Sequence, residues 1–250
     1  MTTNSPLAEI RAEAQRVVAA AQAQGLTLRL LGGLAVALHA PSAALPALTR
    51  PYADIDLVAL ARQASPAERL LAALGYQPDR EFNLLNGAER LLFRDPLHGR
   101  QVDVFVGQFN MCHRIPVAER LELEPLTLPL AELLLTKLQI VQLNEKDLRD
   151  ICALLLDHPA GTGDAEMINA ERVARLCGED WGLWKTASLG LERARAFAAG
   201  AGLDPQAQHT IEQRAAALLA ALEQSPKSLR WRLRAAVGER VPWYELPEEV

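Results

Sequence analysis

Three aspartates stand inside stretches of sequence that otherwise read as buried strands. Asp54 and Asp56 lie in ADIDLVAL, and Asp103 lies in QVDVFVG. A buried carboxylate is costly unless a cation or a proton compensates it. Because side chains alternate along a strand, Asp54 and Asp56 share one face, with Cα atoms roughly 6.5–7 Å apart. Mg²⁺ prefers such hard oxygen ligands, so we predict a magnesium site if the strand of Asp103 is a neighbour.

A pair of glycines ends the apolar run LTLRLL, directly before a short helical pattern. Gly32 and Gly33 at such a turn would let a ligand approach the backbone, and the first N–H groups of the helix would favour an anion. The stretch is neither G-x-G-x-x-G nor a Walker A loop, since no lysine follows at the required spacing. We predict that it seats a triphosphate, with Arg50 or Lys137 offsetting the phosphate charge.

These motifs together resemble a known family. LGG, DIDL and VDVF are similar to the signature of the nucleotidyltransferase superfamily with the polymerase-β-type fold, and RPYADIDL resembles R-x-T/S-x-D-x-D-L of its abortive-infection toxins. Tyr52 stands where that motif has a small hydroxyl residue. TKLQIVQLNEKDLRDI resembles the helical lysine and KD-x-x-D segment of the same group, so the resemblance covers residues 28–156. The long gap between the glycines and Asp54 is interpreted as an inserted loop, PSAALPAL, at the site entrance.

The resemblance implies a magnesium-dependent enzyme that uses a nucleoside triphosphate such as ATP. Asp54 and Asp56 would bind one or two Mg²⁺ ions, and Asp103 would complete the second metal position and help to deprotonate an acceptor hydroxyl. Attack at the α-phosphorus would then release pyrophosphate. The resemblance also implies nucleotide-binding roles for Lys137, Lys146, Asp147 and Asp150. Judged from the residues alone, these charges fit local surface pairing equally well.

The elements that must position these residues change in kind along the chain. Strand and helix patterns alternate up to residue 128, and helical patterns dominate from 129 to 250. We therefore predict an α+β protein, with a mixed sheet flanked by helices in domain 1–128 and an all-helical domain 129–250. Ser5-Pro6 predicts the start of the first helix. The spacing of Ser65 and Glu68 predicts a capping box, and Asn144 is predicted to be the N-cap of another helix. Two strands joined by PLHG predict a hairpin that carries Asp103.

Composition limits the class of function. The formal charge of −5, the three cysteines without C-x-x-C spacing and the lack of a membrane-length apolar run predict a cytoplasmic protein that does not bind membranes. The acceptor stays open: a small molecule, the end of a tRNA, another RNA and a protein are all candidates. An antitoxin protein is a candidate partner. The alternatives are a catalytically silent nucleotide-binding module in a larger assembly and a toxin with the same chemistry.

A basic stretch near the C-terminus, PKSLRWRLRAAVGERVPWYE, has two interpretations. Its cations could form an acceptor patch for RNA or another polyanion. Alternatively, Leu229, Leu233 and Val237 pack a terminal helix whose arginines are solvated, and the acidic chain as a whole favours this second interpretation. The cations concerned are Lys227, Arg230, Arg232, Arg234 and Arg240.

Overall fold

A computed structural model of the chain describes residues 5–246. The protein is α+β, with a five-stranded mixed sheet and a C-terminal region in which helices dominate. Backbone contacts divide it into two compact units. The first unit contains the described residues up to Ala35, Pro51–Asn110 and Pro116–Pro129, and the second contains Val36–Arg50, Met111–Ile115 and the described residues from Leu130 onwards. The division into domains at residue 128 stays a prediction.

The five-stranded sheet belongs to the first unit, and its strands are β1 (Leu28–Leu31), β2 (Ile55–Ala59), β3 (Gln77–Pro78), β4 (Arg90–Arg94) and β5 (Gln101–Val106). Their order in the sheet is β1-β2-β5-β4-β3. The pair β2–β5 is parallel, and the other neighbouring pairs are antiparallel. The predicted hairpin is confirmed as β4 and β5.

Helix α1 (Ile10–Ala23) packs an apolar face against this sheet. In α1, Ala14, Val17 and Ala21 are fully buried at helical spacing. The predicted start of this helix at Ser5-Pro6 is wrong, because the Glu9 side chain accepts hydrogen bonds from the first free N–H groups and α1 begins at Ile10. The predicted capping box from Ser65 to Glu68 is also wrong, because the helix there begins at Ala64 and has no side-chain cap. The elements are α1 (Ile10–Ala23), α2 (Gly32–His39, shared with the second unit), α3 (Ala64–Ala73), α4 (Arg80–Asn86) and β6 (Gln108–Asn110).

Helices dominate the second unit, as the sequence predicts. The prediction that residues 129–250 are all-helical is wrong, because Ala160–Gly161 pairs with Ile168–Asn169 in a short parallel sheet. Side-chain caps define the N-termini of the last five α-helices described, and Asn144 forms a complete capping box with Asp147. None of the helices within residues 5–246 is both long and apolar enough to cross a membrane. The elements are α5 (Leu130–Leu138), α6 (Glu145–Asp157), α7 (Ala170–Glu179), α8 (Trp181–Gly200), α9 (Pro205–Gln224), α10 (Leu229–Val237), β7 (Arg114–Pro116, shared with the first unit), β8 (Ala160–Gly161) and β9 (Ile168–Asn169).

Candidate nucleotide and metal site

Two of the three predicted carboxylates lie side by side on the sheet. Asp56 in β2 is the register partner of Asp103 in the parallel strand β5. Neighbouring strands lie about 4.8 Å apart, and register partners project from the same face. Asp56 is half-buried and Asp103 is buried, whereas Asp54 is exposed and precedes the first residue of β2. The sheet therefore places one carboxylate pair at the end of β2 where the chain enters it.

The glycine turn lies directly against this carboxylate pair. Gly32 is the first residue of α2 and has a φ of +68°, in the left-handed region that favours glycine. A Cβ atom at this position would lie only 2.0 Å from Oδ2 of Asp56. Both the backbone conformation and the neighbouring carboxylate thus require glycine here. Gly33 follows in the first turn of the same eight-residue helix.

Asp103 is engaged by two polar side chains that the sequence analysis did not single out. Arg90 in β4 donates from Nε to Oδ1 of Asp103 at 2.7 Å, and its Nη2 is also 2.7 Å from that oxygen. Gln101 donates to Oδ2 of Asp103 at 2.9 Å. Leu92 is the register partner of Asp103, so Arg90, two residues away along β4, projects from the same face. The predicted hairpin places its first strand beside Asp103, but only the register seen in the structure identifies Arg90 as the partner.

The donor chemistry fits Mg²⁺, but the three predicted ligands do not form a ready-made metal group. Within residues 5–246, no three His, Cys, Asp or Glu side chains are arranged so that they could jointly hold a metal ion. Asp54 and Asp56 would supply carboxylate oxygens of the kind that Mg²⁺ prefers. Both oxygens of Asp103 already accept hydrogen bonds, from Arg90 and from Gln101, so a metal ion would compete with these donors for that carboxylate.

Four of the other predicted residues form a buried ion cluster in the second unit. Arg50 donates from Nε and Nη2 to the two oxygens of Asp150, at 2.8 and 2.7 Å. Nζ of Lys137 lies 2.9 Å from Asp150 and 3.1 Å from Asp147. Lys137 and Asp150 are only 8 % and 2 % exposed. The ion cluster, as we call Arg50, Lys137, Asp147 and Asp150, carries two charges of each sign.

Opposing effects set the pKa of Lys137. Burial lowers the pKa of this ammonium group, but the charges of Asp150 and Asp147 more than compensate, so its pKa is raised above the usual value of 10.5. Lys137 is therefore charged at neutral pH. Because Lys137, Asp147 and Asp150 are buried, the alternative of surface pairing is wrong for these three residues. Lys146, by contrast, is exposed in the first turn of α6.

The segment between the glycines and the aspartates packs within the second unit. It contains a 3₁₀ helix, Pro41–Ala44, and the N–H of Ser42 donates to Asp157 of α6 at 2.8 Å. Arg149 of the same helix donates to the carbonyl oxygen of Thr49. The long gap that the sequence analysis interpreted as an entrance loop is thus held against α6 at both of its ends.

The predicted site residues are distributed over both units. The glycines and the three aspartates belong to the first unit, and Lys146 and the ion cluster belong to the second. A scan against protein-family models and a search of curated proteins each return no match to this chain.

Proposed function

We propose that this protein is a magnesium-dependent nucleotidyltransferase that transfers a nucleoside monophosphate from a nucleoside triphosphate to an acceptor hydroxyl. The observation that carries the proposal is the register pairing of Asp56 with Asp103, directly against the glycine turn at Gly32. From the resemblance to the polymerase-β-type fold, we expect a mixed sheet that brings these three residues together. The proposed setting is the cytoplasm.

Each residue has a defined task in this proposal. Asp54 and Asp56 would hold Mg²⁺, which when bound neutralises charge on the triphosphate. The first N–H groups of α2, at Gly32 and Gly33, would face phosphate oxygens. Once Arg90 releases it, Asp103 would accept the proton of the acceptor hydroxyl. The hydroxyl oxygen then bonds to the α-phosphorus as the bond to the bridging oxygen of the β-phosphate breaks, and pyrophosphate leaves.

The proposal is tested with [α-³²P]-labelled triphosphates, Mg²⁺ and cell extract as the source of acceptors. We expect the full chain to label an acceptor and release pyrophosphate, and Asp54→Asn or Asp56→Asn to reduce labelling by at least about 100-fold, because each removes charge that the site needs. Glu81→Gln, at an exposed position in α4, is the matched control and should leave labelling unchanged. Equal labelling by the wild type and both aspartate variants would contradict the proposal.

The ion pair between Arg90 and Asp103 favours a second candidate, a catalytically silent nucleotide-binding module. In such a module Arg90 would keep the third carboxylate permanently occupied. A triphosphate would then raise the melting temperature of the protein in Mg²⁺ without any release of pyrophosphate. A toxin with the same chemistry as the enzyme would instead label an acceptor and arrest growth on expression, and an antitoxin partner would relieve that arrest.

A further inference from the structure

The C-terminal helix α10 is firmly positioned by one of its faces. Oγ of Ser228 accepts a hydrogen bond from the N–H of Trp231 at 3.0 Å, and the N–H of Ser228 donates to the carbonyl oxygen of Gly178 at 2.9 Å. The ring of Trp231 packs edge-on against Trp184, with centroids 5.3 Å apart. The guanidinium of Arg234 lies 4.8 Å from the ring centroid of Trp181. Trp231 and Arg234 therefore face helix α8 of the same unit.

The opposite face of α10 is apolar and exposed to solvent. At about 100° per residue, Leu229, Leu233 and Val237 span an arc of about 80°. Their exposed fractions are 68 %, 64 % and 38 %, respectively. The interpretation that these three residues pack the terminal helix is wrong, since Trp231 and Arg234 make those contacts instead. We call Leu229, Leu233 and Val237 the outer stripe.

Two exposed arginines border the outer stripe. On the same helical projection, Arg230 lies about 20° beyond Val237 on one side, and Arg232 lies about 60° beyond Leu229 on the other. Both are exposed, and α10 contains no acidic residue. Positive charge therefore flanks an apolar surface about 13 Å long, from nine residues at 1.5 Å rise each.

We propose that the outer stripe is a docking site for an amphipathic acidic helix of a partner protein. Such a helix would bury its own apolar stripe on Leu229 and Leu233 and set carboxylates opposite Arg230 and Arg232. Charge complementarity selects this occupant over others. A nucleic acid would satisfy the arginines but place phosphates over apolar side chains, and a second copy packed through the same helix would bring arginines together. This inference does not depend on the proposed nucleotidyl transfer.

The test uses the full chain and two fluorescent helical peptides with the same leucine and isoleucine stripe, flanked by glutamate in one and by lysine in the other. We expect the glutamate peptide to bind at least about 10-fold more tightly than the lysine peptide, with an affinity that falls as salt is added. Fluorescence anisotropy measures both affinities. Equal affinity for the two peptides, or no binding of either, would overturn the proposal.

Variants distinguish docking on the outer stripe from binding elsewhere. Leu233→Glu should abolish binding of the glutamate peptide, and the double variant Arg230→Glu, Arg232→Glu should reverse the preference between the peptides. All three side chains are exposed, so circular dichroism should be unchanged. Leu84→Glu, at an 85 % exposed position in α4, is the matched control and should bind as the wild type does. Two other results would overturn the acidic-helix assignment: binding only to vesicles of phosphatidylcholine with phosphatidylserine, or self-association that Leu233→Glu abolishes.

Discussion

At the residue scale, the glycine turn and the carboxylate pair depend on each other. Gly32 adopts a positive φ and leaves no room for a Cβ atom beside Asp56. Gly25 also has a positive φ, of +70°, but nothing lies within 4 Å of the place where its Cβ would be. The two glycines thus share a backbone requirement and differ in the close approach of a carboxylate.

From this difference we predict how two substitutions by alanine change the free energy of unfolding. Gly25→Ala should lower the free energy of unfolding by about 1–2 kcal/mol through backbone strain alone. Gly32→Ala should cost about 1–3 kcal/mol more, because the added methyl group displaces the side chain of Asp56. Urea denaturation measures both values, and isothermal titration with Mg²⁺ should show weaker binding only for Gly32→Ala. Equal costs for the two variants would contradict the close approach.

The sequence reveals the carboxylates but not all of their partners. Apolar alternation in β2 and β5 places Asp56 and Asp103 on defined faces, and this is confirmed by their register. The ion pair of Asp103 with Arg90 depends on the exact register of the β4–β5 hairpin. A shift of one residue would turn Arg90 to the opposite face, so spacing alone does not identify it.

At the scale of elements, helix α6 organises charge in the second unit. Its N-terminus is closed by the reciprocal cap of Asn144 and Asp147, and one turn later Asp150 accepts from both Arg50 and Lys137. A buried ion pair is weak evidence for stability in itself, but removal of one partner leaves a buried charge without compensation.

From this arrangement we predict how much two aspartates of α6 contribute to the free energy of unfolding. Asp150→Asn should lower the free energy of unfolding by about 3–5 kcal/mol, because Arg50 and Lys137 both lose their main counter-ion. Asp147→Asn is the comparison variant and should cost only about 1–2 kcal/mol, through the helix cap and a longer contact with Lys137. Urea unfolding followed by circular dichroism measures both. A cost for Asp150→Asn no larger than that for Asp147→Asn would refute the assigned role.

Helix positions could be predicted better than helix beginnings. The helices of the C-terminal half follow from apolar spacing and from caps such as Asn144, and they are confirmed. The start of α1 was missed because Glu9, rather than Ser5, supplies the capping oxygen. Helix α4 was not predicted at all, since its seven residues include no buried position and leave no apolar pattern to detect.

At the scale of the whole molecule, the half-buried His39 and the buried His113 affect how stability responds to mild acid. Burial lowers the pKa of His39, and the nearby His158 lowers it further. Burial also lowers the pKa of His113, outweighing the charges of Asp180 and Glu245. In the unfolded chain both groups titrate near the ordinary value of 6.5.

We therefore expect stability to fall as the pH drops below 6.5. Because the folded-state pKa values are lowered, the unfolded chain takes up protons first, and each histidine contributes at most about 1.4 kcal/mol per pH unit until its folded-state pKa is passed. Above pH 6.5 this contribution is fully present. Urea unfolding between pH 5 and 7.5 measures the slope, and the variant His113→Gln should show a shallower one. An unchanged slope in that variant would exclude His113 as a source.

The division of the chain into two units also has a consequence for synthesis on the ribosome. The chain passes between the units after Ala35, Arg50, Asn110, Ile115 and Pro129. Every segment of the first unit has been made once Pro129 has left the ribosome, whereas Val36–Arg50 and Met111–Ile115 then still await the helices on which they pack. Leu48 and Ile115 in these early segments are buried in the folded protein. We expect such apolar side chains to be incompletely covered until the remaining helices have been made, so that the nascent chain presents apolar surface to chaperones during that interval.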